Sequence, residues 1–431
     1  MFFTRVLRTV SLCVVLTLPA GAMAAADHPA PLLSIAATDV QKMDPALRAF
    51  MERVWQESPA MQAAEASLEA ARARAEGASQ PLYNPDLAID AERSDISTTT
   101  IGLSQTLDWS DKLDAQSRVA RREIEAAQAE WLQTRRQIAA ETLGALARYH
   151  TARQMVALAQ RRSELMKGFV DTVRQRQAAG DMGAIEGTLA QVAYSEALMQ
   201  QAADESELAE AEAALRAVTG LQTVQWPSLP PELAHPPAQM DTQLIESLPQ
   251  LALLRSRIAA AKARVELAQR EGRADPTIGF RAGKEDSETL LGLSLEIPLF
   301  VRNNYKAQAR AASHEAVAEE LAYRELRRRI LAELQSTLGR FQNTARAWQA
   351  WLGAGQAALV EQEALLEQMW STGELTATDF LIQAKQNIDT QATATTLAGE
   401  VWQAAIAWLA TSGQIEAWLG LPQQVMESPE R

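Results

Sequence analysis

The sequence carries a single cysteine, Cys13, among 431 residues. That residue lies in a segment read below as a removable leader. The working chain is then left without a disulfide, a thiol nucleophile or a thiolate metal site. A basic surplus is also missing: 41 Lys and Arg stand against 54 Asp and Glu, a net charge of −13. Dropping Arg5 and Arg8 with the leader leaves 39 against 54, or −15. Phosphate contacts need Lys and Arg in excess, so a nucleic-acid partner is excluded. Aromatics make up only 5% of the chain. After the leader no segment supplies the ~18–20 apolar residues of a spanning helix. Any membrane span must therefore be built from strands.

Proline is scarce in a patterned way. None occurs between Pro85 and Pro227, or between Pro298 and Pro422. An interior proline costs a helix ~3 kcal/mol or more, so these two windows predict very long helical stretches. Hydrophobic residues reach 47%, enough for a core and against disorder.

What is present begins with an export signal. Arg5 and Arg8 precede the apolar run Val10–Leu18, Pro19-Ala20-Gly21 breaks it, and Ala22-Met23-Ala24 offers small residues for cleavage. Residues 1–24 are read as this signal. Leu12 occupies the place before Cys13 where a lipidation motif needs a small residue, so lipidation is not expected.

The remainder is one unit written twice. Ser58-Pro59 aligns with Leu248-Pro249, and Asn84-Pro85 with Asp275-Pro276. Gly102-Leu103-Ser104 meets Gly292-Leu293-Ser294, and Ala115-Gln116-Ser117-Arg118 meets Ala307-Gln308-Ala309-Arg310. Gly180-Asp181 meets Gly373-Glu374, and Thr219-Gly220 meets Ser412-Gly413. The reading gives a first repeat over 25–225, a Pro-rich linker over 226–240, a second repeat over 241–422 and a tail over 423–431. Each repeat opens with a helix (44–79 and 241–273). Two strands follow, near 85–93 and 99–108 in the first copy and 275–284 and 288–297 in the second. A very long helix (112–178 and 303–371), a glycine turn and a returning helix (185–218 and 377–411) complete each copy. A 67-residue helix would run about 100 Å. It must pack lengthwise, as coiled coils do, and Leu132, Ile138, Leu143, Leu146, Leu158, Leu165 and Phe169 offer a seam.

The strands alternate. Leu87, Ile89 and Ala91 oppose Asp90 and Glu92 across the first; Ile101, Leu103 and Leu107 oppose Gly102, Ser104 and Thr106 across the second. Ile278, Phe280 and Ala282 alternate with Gly279, Arg281 and Gly283, and Leu291, Leu293, Leu295 and Ile297 with Gly292, Ser294 and Glu296. Two readings stand: amphipathic hairpins packed on helices in a soluble protein, or strands with one face to lipid and one to water. Four strands cannot close a barrel, since about eight are needed. The second reading therefore forces several chains to share one barrel.

Taken together, the ordered elements, the duplicated Ala-Gln-x-Arg at the head of each long helix and the glycine turns with an acid six positions on resemble the TolC-like outer-membrane efflux proteins. Asp108-Trp109-Ser110-Asp111-Lys112 and the stretch Pro298–Lys306 look most like the cation-efflux subgroup. The resemblance implies a mainly α fold with a small β part. Two tandem repeats of long antiparallel coiled-coil helices would form a periplasmic α-barrel, and two hairpins per chain would contribute to a trimeric twelve-stranded outer-membrane β-barrel. It also implies a homotrimer in the outer membrane of a Gram-negative bacterium, a periplasmic adaptor, an inner-membrane transporter of the resistance-nodulation-division type, and no cofactor.

The same resemblance points to residues. Gly373, with Trp370 and Glu374 beside it, would form the second periplasmic tip. Thr378 or Asp379 suits the first turn of the returning helix, where a carboxylate meets free N–H groups. In the family the acid matching Asp379 forms a ring at the tunnel constriction; capping and ring roles both stand. Gly180, Asp181 and Glu186 are the counterparts at the first tip. Asp90, Glu92, Arg281 and Glu296 would line the barrel lumen. Leu375 occupies a position that is often basic in the family, so the mouth would be held by other contacts.

No catalytic set is visible. His28, His150, His235 and His314 are isolated, without paired metal-ligand spacing, and neither G-x-S-x-G nor a P-loop occurs. The expectation is a passive exit duct for cations or small toxic compounds, not an enzyme. The alternatives are the outer-membrane channel of a protein-secretion system and, in another class, a soluble periplasmic coiled-coil scaffold.

Overall fold

The computed structural model describes residues 45–93, 95–222, 225–230, 236–239, 245 and 248–421. The leader, the tail 423–431 and much of the linker fall outside the described residues. The opening helix is two helices, α1 (Pro45–Glu57) and α2 (Pro59–Ala78), where a single one over 44–79 was expected. Ser58 caps the second by accepting from Met61 N–H, and Pro59 takes the first helical position, where its missing N–H costs nothing. Strands β1 (Asp86–Arg93) and β2 (Ser97–Thr106) follow, then α3 (Lys112–Ala178) and α4 (Ala184–Thr219). The second copy gives α5 (Pro249–Glu271), β3 (Thr277–Glu285), β4 (Glu288–Glu296), α6 (Lys306–Ala350), α7 (Gln356–Thr372), α8 (Ala377–Thr411) and the short α9 (Ile415–Trp418).

α3 is 67 residues long and unbroken. Its start is fixed by Asp108, whose two carboxylate oxygens accept from the Lys112 and Leu113 N–H groups, both at 2.8 Å. The expected seam is buried except at Leu165, which is 41% exposed. The second long helix is not regular. A π turn at Trp351–Gly355 separates α6 from α7, and a side chain on Gly355 would collide with the Trp351 ring.

Among the described residues three apolar clusters hold the helices. One gathers Leu47, Met51 and Val54 of α1 with Leu143 and Leu146 of α3 and Ile415 and Leu419 near α9. A second joins Leu248 and Leu251 to Leu334, Phe341 and Trp408. The third sits near the glycine turns and contains Phe169, Val173, Trp370 and Phe380. Glu416 is buried beside the first, paired with Arg136 at 3.0 Å and Arg135 at 3.4 Å. Arg135 in turn lies over the Trp55 ring.

The strands form one antiparallel sheet in the order β1-β2-β3-β4. Its ladder aligns Leu87 with Leu103, Leu103 with Phe280 and Phe280 with Leu293. No helix among the described residues is long and apolar enough to cross a membrane.

Candidate functional site

Two regions contain the residues singled out above. In the sheet, the register puts Leu87, Ile89, Ile101, Leu103, Ile278, Phe280, Leu291, Leu293 and Leu295 on one face. All are exposed, Leu293 to 84%. A face of this size rimmed by polar residues marks an interaction surface rather than chance exposure. The opposite face carries Asp90, Glu92, Arg281 and Glu296 together. Arg281 lies between Gly102 and Gly292, and its side chain runs over Gly292, where an added Cβ would meet the Arg281 Nε at 2.8 Å. Asp90 faces Thr100, Glu92 faces Thr98 and Glu296 faces Thr277.

Below the sheet, Asp275 joins the two repeats. Its carboxylate accepts from Tyr83 OH at 2.8 Å and pairs with Lys112 Nζ at 2.9 Å. Burial alone would raise the Asp275 carboxyl, but Lys112 and Tyr83 outweigh it and hold it below the usual range. Burial and the bond to Asp275 push the Tyr83 hydroxyl up to about 12.

The glycine turns are built alike. Gly180 and Gly373 adopt φ of +85° and +79°, a conformation that costs glycine little. Asp181 N–H donates to Arg176 O and Glu374 N–H to Met369 O, both at 2.9 Å, closing each helix end in the same way. The returning helices start differently. Thr376 caps α8: its Oγ1 accepts from Asp379 N–H at 3.1 Å and donates to Asp379 Oδ2 at 2.7 Å. Gly183 stands at the same point of α4 and has no side chain to do this. Glu186 there has a buried oxygen without a hydrogen-bond partner among the described residues. Glu374, Thr378, Asp379 and Asp181 are exposed.

Trp370 is buried. It stacks on Phe380 with ring centroids 4.7 Å apart and contacts Phe169. Arg176 lies over the Trp370 ring, 4.5 Å from its centroid, and donates to Trp370 O at 3.1 Å. Arg176 belongs to the first repeat and Trp370 to the second, so this contact ties the two tips. Lys385 Nζ pairs with Glu196 at 2.6 Å, and Arg162 reaches Asp389 at 3.4 Å and Glu196 at 3.8 Å. Sequence reasoning missed Arg162, Arg176, Glu196 and Lys385. One signal was available: Glu196 and Asp389 occupy equivalent places in the two copies, each a carboxylate for Arg162.

The family model described as outer membrane efflux protein matches residues 51–221. The chain is 25% identical over 264 residues to the cobalt-zinc-cadmium resistance protein CzcC of Cupriavidus metallidurans. That match covers 56% of this chain and 61% of the relative, so it spans about three fifths of the relative's length. Among solved structures, the CmeC outer membrane channel of Campylobacter jejuni superposes with a TM-score of 0.73 at 11% identity, covering 89% of this chain and 87% of that one. The open state of the MtrE outer membrane channel of Neisseria gonorrhoeae gives 0.70 at 16% identity, over 86% and 90%. CusC, described with its transmembrane channel formation, gives 0.69 at 15% identity, over 86% and 92%. These likenesses are of fold.

Proposed function

We propose that this chain is a TolC-like outer-membrane efflux protein and serves as the passive exit duct of a tripartite efflux assembly, a reading supported by the family-model match over 51–221 and by the fold it shares with solved channels. One observation carries the reading: a four-stranded sheet with an exposed apolar face, a polar face behind it and, among the described residues, two unpaired edges, set beside an unbroken helix about 100 Å long. Strands of 8 to 10 residues suit a tilted crossing of the bilayer. Unpaired N–H and C=O groups are not tolerated in lipid, so the edges must be closed by other copies. Three copies would give twelve strands.

On this reading the apolar face meets lipid and Asp90, Glu92, Arg281 and Glu296 face a water-filled lumen. The helices continue the path into the periplasm, and the glycine turns form the mouth. A periplasmic adaptor docks there, and an inner-membrane transporter of the resistance-nodulation-division type supplies energy. Divalent metal cations are the proposed cargo, supported by the acidic balance of the chain and by the partial likeness to a cobalt-zinc-cadmium resistance protein. Exposed Asp379, three copies of which would face one another at the mouth, would attract cations electrostatically.

Fractionation and growth test the proposal. The duct requires recovery in outer-membrane vesicles, and deletion should lower tolerance to zinc, cobalt or cadmium. Recovery in the soluble periplasm would overturn the duct. Outer-membrane recovery with unchanged metal tolerance would overturn the cargo alone.

A further inference from the structure

Among the described residues the sheet ends on two bare strands, since β1 and β4 each pair on one side only. The inference that follows rests on the barrel reading and supplies what that reading lacks: the register in which β4 meets β1 of the next copy. The internal duplication contains it. Because the two hairpins are copies, the β2–β3 ladder within a chain is the counterpart of the β4–β1 ladder between chains.

Transferring that ladder needs the offsets between copies. Asn84-Pro85 leads into β1 as Asp275-Pro276 leads into β3, an offset of 191. The chain leaves β2 and β4 through the same turn. Trp109 N–H donates to Leu107 O and Val301 N–H to Leu299 O, both at 2.9 Å, an offset of 192. Ala-Gln-x-Arg repeats at 192 as well. The ladders agree: Leu87 faces Leu103 in the first hairpin, and the two offsets carry that pair onto Ile278 facing Leu295 in the second. The Gly-Leu-Ser match, at an offset of 190, breaks the turn correspondence and reflects a slip along the strand.

Within the chain Leu103 faces Phe280, Gln105 faces Ile278, and Leu107 N–H donates to Pro276 O at 2.9 Å. We propose that β4 pairs with β1 of a second copy so that Leu295 lies opposite Ile89 of the partner subunit, Ile297 opposite Leu87 of the partner subunit, and Leu299 N–H bonds the carbonyl of Pro85 of the partner subunit. The register keeps apolar residues on one face. It also gives partners to Ile297 and Leu299, which prolong the alternation beyond the last paired residue of β4 and are 51% and 79% exposed.

Barrel geometry supports the same register. The ladder crosses one chain from Ala88 through Gly102 and Arg281 to Gly292, and the seam then leads to Glu92 of the partner subunit. That is four residues further along the strand than Ala88. Three chains accumulate a stagger of about 12 residues over twelve strands, which tilts them by about 35°. Closed barrels tilt by ~35–45°. The rival register, Leu291 opposite Ile89 of the partner subunit, has no stagger and would leave the strands upright.

Paired cysteines test this in full-length protein carrying Cys13→Ser, extracted from outer membranes. Ile89→Cys with Leu295→Cys, and Ala88→Cys with Glu296→Cys on the other face, should give covalent trimers on oxidation that reductant dissolves. Ile89→Cys with Leu291→Cys should give none, being about 13 Å out of register. Cross-linking of the Leu291 pair instead, or of no pair in a chain that native mass measurement shows to be trimeric, overturns the register and leaves the duct standing. A monomer by native mass overturns the barrel reading itself.

Discussion

Lys385 Nζ lies 2.6 Å from Glu196 Oε1 and binds the returning helix of the second repeat to that of the first. Both side chains are about half exposed, so the pair adds little to global stability, roughly 0–1 kcal/mol. If the glycine turns form the mouth, its position near the start of α8 gives it leverage over the relative movement of the two helix pairs. Lys385→Met should leave thermal unfolding within a few degrees of the parent while raising the conductance of the resting channel in planar bilayers. Unchanged conductance would reduce the pair to surface decoration. The bond from Lys385 holds the Glu196 carboxyl below its ordinary value. A depressed folded-state value makes this contribution fully present above the unfolded carboxylate range and lost as pH falls through the lower folded value. Conductance of the parent should therefore be flat at neutral pH and rise only in acid.

Asp379 combines an exposed charge with a cap, and two substitutions separate them. Asp379→Asn keeps an acceptor for Thr376 OH and removes the charge. Thr376→Ala keeps the charge and removes the cap, at a cost of about 1 kcal/mol. If three Asp379 carboxylates select ions, the first lowers the cation-to-anion permeability ratio with unfolding unchanged, and the second does the reverse. A permeability ratio that follows Thr376→Ala instead would assign Asp379 to capping.

The long elements were legible because their signals are local. α3 was read as 112–178 and spans Lys112–Ala178, since no proline interrupts it and the glycine turn ends it. The strands were legible because alternation is local too. The break at Ser58-Pro59 was passed over because the apolar spacing on either side suits one helix. The π turn at Trp351–Gly355 had only a weak local signal, Gly353 and Gly355 in an otherwise helical sequence. The tie between Arg176 and Trp370 depends on two helix ends 194 residues apart meeting in space. Periodicity cannot report such a contact, although the repeat offset brackets it.

Asp275 and Lys112 make a buried pair where the strands enter the helices, with side chains 3% and 13% exposed. Removing one partner strands the other, a change that costs about 3–5 kcal/mol in buried pairs. Lys112→Met should lower the unfolding temperature of the detergent-extracted protein, and Asp275→Asn with Lys112→Met together should recover part of the loss. Tyr83 provides a spectroscopic check. Its hydroxyl titrates near 12, above the ordinary 10.0. A raised folded-state value means its contribution is whole below the unfolded value and is lost as pH rises through about 12. Phenolate absorbance should show one tyrosine lagging in the parent, and Asp275→Asn should bring it forward.

Leu293 separates lipid from water as the solvent of the apolar face. It is 84% exposed and sits in the middle of β4. On a soluble surface Leu293→Arg would change stability by no more than about 0.5 kcal/mol. At the bilayer midplane the same change costs ~2–4 kcal/mol, because the guanidinium must leave water. Arg281→Leu, on the opposite face, carries no such cost if that face lines the lumen. Unfolding of the two variants in lipid vesicles should therefore differ sharply, with Leu293→Arg the less stable. Equal stabilities would mean that the apolar face is wet and that the sheet does not cross a membrane.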